Sequence, residues 1–164
     1  MSIKAINTAA TKNYVSELDT AVDEKGNPLP EATVWHLGAM DSYIQAHITS
    51  KSTSYAMKDG VDAASLKSKD KQEVSNSMQY SIDAHTMFIE ACRFCIRGWD
   101  NFEGADGKPI IFKSVKTSLR GRMYDVVDAD LLAKVPSDII QELYVEIDNL
   151  SKMSEKELKN SAGG

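Results

Sequence analysis

Cys92 and Cys95, spaced as a CxxC pair, are the first residues whose types and spacing could do chemistry. A redox pair of this kind needs its leading thiol at a helix N-terminus, where the dipole lowers the thiol pKa. Here Cys92 falls deep inside a helical pattern instead. A structural zinc site needs four nitrogen or sulfur ligands. His85 lies seven residues before Cys92, His36 or His47 would have to come from elsewhere, and no second CxxC or HxxxH lends support. The pair reads first as core thiols, because free cysteine is among the most buried residue types. A metal site comes second and redox chemistry last. His85 reads as a neutral core histidine with one hydrogen bond, ahead of a ligand or a pH switch. No GxSxG, GxGxxG or GxxxxGK[ST] occurs, which removes the familiar nucleophile elbow and nucleotide loops. Asp100 to Phe112 has the outline of a calcium loop, but its third position is Phe102 and its twelfth is Ile111, so the bidentate glutamate is missing. The expectation is a protein that is not an enzyme and holds no metal or cofactor.

Two groups remain that could bind a partner. Trp99, Phe102 and Phe112 flank one turn; they read as a core plug at a helix end, with an aromatic anchor for a partner as the sharper alternative. Lys113, Lys116, Arg120 and Arg122 form a basic run without acids. It reads as a solvated connector, with a contact strip for an acidic surface as the alternative. Arg120 and Arg122 therefore join Trp99, Phe102 and Phe112 as the partner-binding candidates.

The elements that would position these residues centre on Val74 to Trp99. Met78, Ile82, His85, Ile89, Cys92, Ile96 and Trp99 step by four and three, the spacing of one apolar seam on a helix. Phe88, Ala91 and Cys95 widen that seam, and Gly98 supplies a left-handed stop. The pattern predicts a long central helix over about 74–98. Thr33 to Leu37 is a β-prone run, with Val34 and His36 on one face and Trp35 and Leu37 on the other. Asp41 or Ser42 caps a helix running to about Lys51. Asp106-Gly107 is the strongest hairpin dipeptide in the chain, with short arms within about 101–112. Glu24 to Pro28 reads as a second turn. Asp128 caps a short helix over Ala129 to Lys134. Pro136 opens another helix, on which Ile140, Leu143, Ile147 and Leu150 form a face able to lie on the central helix. The fold expected is mainly α: one compact helical domain over 31–153 with a small hairpin or short strands at about 33–37 and 101–112. A flexible arm over 1–30 precedes it. A polar Ser/Lys insert over 52–72 interrupts it, with a helical piece near Val61 to Leu66. A short helix and tail over 154–164, with Ser154 and Glu157 at capping-box spacing, follows it.

With 164 residues the chain is of single-domain size and buries a core without staples. Its 42% apolar and 26% charged residues are ordinary for a globular protein. A net charge of −5 argues against nucleic acid as partner. No apolar run reaches the roughly 20 residues that cross a bilayer, and the first residues lack a signal-peptide core. The expectation is a cytoplasmic protein with two free thiols.

The order of features resembles a family of tailed-bacteriophage proteins known as tail assembly chaperones or tail-assembly-associated proteins. The resemblance is carried by Thr33-Val34-Trp35-x-Leu37 and by Ile96-Arg97-Gly98-Trp99-Asp100-Asn101-Phe102. It continues in Asp106-Gly107-Lys108-Pro109-Ile110 and Phe112, and in Val135-Pro136-x-x-Ile139-Ile140-Gln141-Glu142-Leu143 with Glu146-Ile147. Leu150-Ser151 and Ser154-Glu155-x-Glu157-x-Lys159-Asn160 complete it, over roughly residues 30–160. The polar insert and the basic run between Phe112 and Tyr124 depart from the family. The resemblance implies a non-enzymatic protein of the bacterial host cytoplasm that holds tape-measure or tail-tube protein until assembly. The alternative is a structural virion, neck or tail subunit that forms a ring as a homo-oligomer. A distant third is a phage effector or trigger of host defence.

Overall fold

The computed structural model describes residues 5–57 and 78–152. The Val61 to Leu66 piece and the Ser154 helix lie outside them. Two strands come first, β1 (Thr11–Val15) and β2 (Val34–Gly38), followed by α1 (Ser42–Ser52) and β3 (Thr53–Met57). Then come β4 (Met78–Ile82), α2 (Ala84–Cys95), β5 (Ile96–Asp100), β6 (Ser114–Leu119), β7 (Arg122–Val127), α3 (Ala129–Leu132) and α4 (Ser137–Lys152).

The fold is mixed, which corrects the mainly α expectation. Among the described residues there are three antiparallel sheets, β1-β2-β5, β3-β4 and β6-β7, beside four helices. The long central helix over 74–98 does not exist. Met78-Gln79-Tyr80-Ser81-Ile82 alternates apolar and polar residues and pairs with β3, Thr53 facing Ile82. Asp83 then starts the helix afresh: its carboxylate accepts from the Thr86 N–H at 3.1 Å and from Thr86 Oγ1 at 2.6 Å. The chain leaves the helix at Ile96 and enters β5, whose Trp99 faces Trp35 across the ladder. Gly98 is therefore a strand residue and no helix cap. A Cβ there would come within 3.2 Å of His36 Cδ2, so its bareness lets the His36 ring lie over β5.

Three segments read as unstructured are paired strands. Thr11–Val15, within the expected arm, is an edge strand of the main sheet with Val15 opposite Val34. The basic run folds as the β6-β7 hairpin. Its turn residues Arg120 and Gly121 both take positive φ, 52° and 78°, as a two-residue hairpin turn of the primed type requires. The start of the polar insert, Thr53–Met57, is β3.

Other elements follow the sequence. Trp35 and Leu37 are the buried face of β2. Asp41 caps α1 by accepting from the Ile44 N–H at 2.8 Å. Asp128 caps α3, and the Pro136 carbonyl accepts from the Ile140 N–H at 3.0 Å as α4 begins. On α4, Ile140, Leu143, Ile147 and Leu150 are buried. They share one core cluster with Cys92, Phe94, Cys95, Val126 and Leu37.

The two turns noted in the sequence are near copies. In each, a glycine at positive φ (Gly26 at 81°, Gly107 at 72°) precedes a one-residue step to proline. Val22 bridges Pro28 in one, and Glu103 bridges Pro109 in the other. The backbone bonds match too: Asp23 N–H to Asn27 O at 2.8 Å, and Gly104 N–H to Lys108 O at 2.9 Å. Both loops leave the same end of the main sheet, where Val15, Val34 and Asp100 lie side by side. Asn101, at φ 57°, ties them together. Its Nδ2 donates to Pro30 O and Ala32 O, while Thr33 Oγ1 donates to its carbonyl.

Candidate functional site

The aromatic residues singled out from the sequence do converge, and a fourth joins them. Trp99 meets Trp35, Phe102 and Phe112 at centroid distances of 5.6, 5.3 and 4.9 Å, all edge-to-face. Phe102 also packs on Trp35 at 5.1 Å. Trp99 is only 7% exposed, and its Nε1–H donates to Ile110 O at 2.6 Å. That bond pins the 103–109 loop onto the sheet and satisfies the indole's one donor. Trp99 thus works from behind, as the anchor of the loop. Phe102 and Phe112 are half-buried.

The surface this anchoring creates is a groove of about 860 Å³ between the loop and the start of α4. Phe102, Ile110, Ile111, Leu131 and Pro136 supply much of its apolar lining, and Glu103, Asp106, Lys108 and Lys134 its charged lining. Ile111 beside it is 77% exposed. Neither Ile111 nor Leu131 was picked out from the sequence. The signal was the run Ile110-Ile111-Phe112: three large apolar residues in extended chain cannot all face one side. Trp35 was legible as well, being on the Leu37 face of its strand.

Arg120 and Arg122 lie elsewhere. β2 runs from the loop end of the sheet at Val34 to Gly38 and on to Asp41, and the arginines gather at this far end. Arg122 stands 3.7 Å from Asp41 Oδ2 and its guanidinium lies 5.6 Å from the Tyr124 ring centre. The Tyr124 hydroxyl donates to Asp41 at 2.7 Å; burial, then that carboxylate, pushes the hydroxyl's pKa up to about 12. The candidate partner-binding residues therefore form two separate sites.

The thiols are core. Cys92 and Cys95 are fully buried and free, and Cys92 Sγ–H donates to Ile140 O at 3.4 Å. Burial raises both pKa values, that of Cys95 to about 12, so neither is a thiolate at neutral pH. His85 is exposed at the start of α2 rather than buried in the core. Among the described residues no three metal-ligating side chains cluster. His36 bridges Asn13 Oδ1 at 2.7 Å and Asp100 Oδ2 at 2.9 Å, and His47 bonds Glu90 at 2.8 Å. Both histidines join neighbouring elements. No described helix is long and apolar enough to cross a membrane.

Comparison with known proteins returns nothing: no family model, no curated protein and no solved structure matches the chain.

Proposed function

We propose that the protein is a binding module that shields an apolar segment of another protein, in the manner of a phage tail assembly chaperone acting in the host cytoplasm. The observation that carries this reading is Ile111, exposed at the mouth of a groove floored by Phe102, Ile110 and Leu131. Exposed apolar surface of this kind is costly in water unless a partner covers it, and a rigid aromatic floor lowers the ordering cost of binding. The Trp99 bond to Ile110 O holds the groove's shape before a partner arrives. The resemblance to tail-assembly proteins supplies the occupant, an apolar stretch of tape-measure or tail-tube protein. No cofactor and no nucleic acid enter this scheme.

The test is co-purification of tagged protein with tail proteins from infected cells. Ile111→Asp should leave folding intact, because that side chain packs little, and should abolish capture of tape-measure or tube protein. Capture that survives both Ile111→Asp and Leu131→Lys would refute the groove. Presence of the protein in purified virions would turn the reading towards a structural subunit.

A further inference from the structure

The two ends of the main sheet carry opposite charge. The first loop and its flanks, residues 16–33, hold Glu17, Asp19, Asp23, Glu24 and Glu31 against Lys25 alone. Residues 100–109 add Asp100, Glu103 and Asp106 against Lys108. Eight carboxylates against two lysines leave an excess of six at one end, while the whole chain carries −5. The molecule's net charge is thus concentrated there, and the remainder is close to neutral.

At the far end a polar cavity of about 220 Å³ opens between Arg97, Arg122, Tyr124 and Thr8. Gly38 makes room for it: a Cβ at that position would sit 2.6 Å from Arg97 Nε, so the guanidinium lies directly across bare strand. Two acids also line the cavity, and both are already engaged. Asp41 accepts from Ile44 N–H and Tyr124, and Asp125 is paired with Lys116 at 3.0 Å. Arg97, exposed, makes no ion pair among the described residues, nor does Arg120 at the hairpin tip. Arg122 is held 3.7 Å from Asp41 Oδ2, so Arg97 is the cation the cavity offers to an incoming carboxylate side chain.

We infer that the protein associates head to tail with a second copy of itself, the acidic loop end of one copy seated on the Arg97–Arg122 cavity of the next. Charge complementarity between the two ends selects this occupant. The loops are preformed, each closed by its own turn bonds and tied to the other by Asn101, so little ordering opposes docking. Such a contact joins different surfaces on the two copies, and repeats until a ring closes or a filament grows. The 103–109 loop is also one wall of the Ile111 groove, so the contact borders that groove.

Sedimentation velocity over a concentration series, at about 0.01 M and about 1 M salt, tests this, because screening shortens from about 30 Å to about 3 Å between them. Wild type should associate at low salt, with an apparent association constant at least about tenfold lower at high salt. Arg97→Glu with Arg120→Glu should be monomeric at low salt, as should Glu24→Lys with Glu31→Lys. All four residues are exposed, so folding should survive. An equimolar mixture of the two double variants should form a heterodimer, since the intact acidic loop end of the Arg97→Glu, Arg120→Glu variant meets the intact cavity of the other. A wild type that stays monomeric at low salt, an assembly indifferent to salt, or a mixture that stays monomeric would each overturn the inference. None of the four substitutions touches the groove, so partner capture by these variants is read separately from their self-association.

Discussion

Helix α4 is held on two sides by opposite means. Towards α2 the contact is dry: Ile140, Leu143 and Ile147 meet Cys92 and its neighbours in the core cluster. Towards β1 it is polar. Glu142 accepts from Tyr14 Oη at 2.6 Å, from Ser16 Oγ at 2.5 Å and from the Glu17 N–H at 2.6 Å, and Glu146 pairs with Lys12. The dry side sets whether the domain folds. The polar side sets where its first strand lies, and it alone responds to pH and salt.

The largest effect should come from the dry side. Leu143→Ala removes a fully buried side chain and should lower unfolding free energy by about 3 kcal/mol, read by urea denaturation. Glu142→Gln comes next. It keeps shape but weakens three bonds at once, and should cost about 2 kcal/mol, with amide exchange of 11–17 rising more than that of the α2–α4 core. The acid response is smaller and has a definite sign. Burial alone would raise the Glu142 carboxyl, but the bonds from Ser16, Tyr14 and the Glu17 N–H outweigh it and hold the pKa below the ordinary value. Its contribution is therefore full above the unfolded value of about 4.3 and disappears as pH falls through the lower folded value. Wild type should lose stability across that window, and Glu142→Gln should lose less. The smallest effect is expected at Val145, 49% exposed on the same helix: Val145→Thr should change stability by under about 0.5 kcal/mol. A Val145 change as large as the Leu143 one would dissolve the contrast between faces.

The same contrast explains what was legible. The dry face of α4 could be read directly, because Ile140, Leu143, Ile147 and Leu150 repeat at helical spacing behind a proline. β1 could not, because Thr11-Lys12-Asn13-Tyr14-Val15 owes its place to carboxylates more than 120 residues away. The false central helix has a sharper cause. Residues four apart share a face in a helix and in a strand alike, so Met78 with Ile82, and Cys92 with Ile96, fit both patterns. Asp83 and the alternation around Tyr80 were the signals that separated them. At the candidate site the sequence supplied Trp99, Phe102 and Phe112 as a group. It hid their division of labour, because the bond from Trp99 to Ile110 O and the outward turn of Ile111 depend on how the 103–109 loop closes.

Asn101 is a small joint with mechanical reach. Its amide grips the carbonyls of Pro30 and Ala32 while its own carbonyl is held by Thr33. A pull applied at Gly107 therefore travels to Gly26 through the side chains of Asn101 and Thr33, without passing along a strand. The pair of loops should swing as a single stiff paddle, and shortening this asparagine by one substitution would let them flap apart.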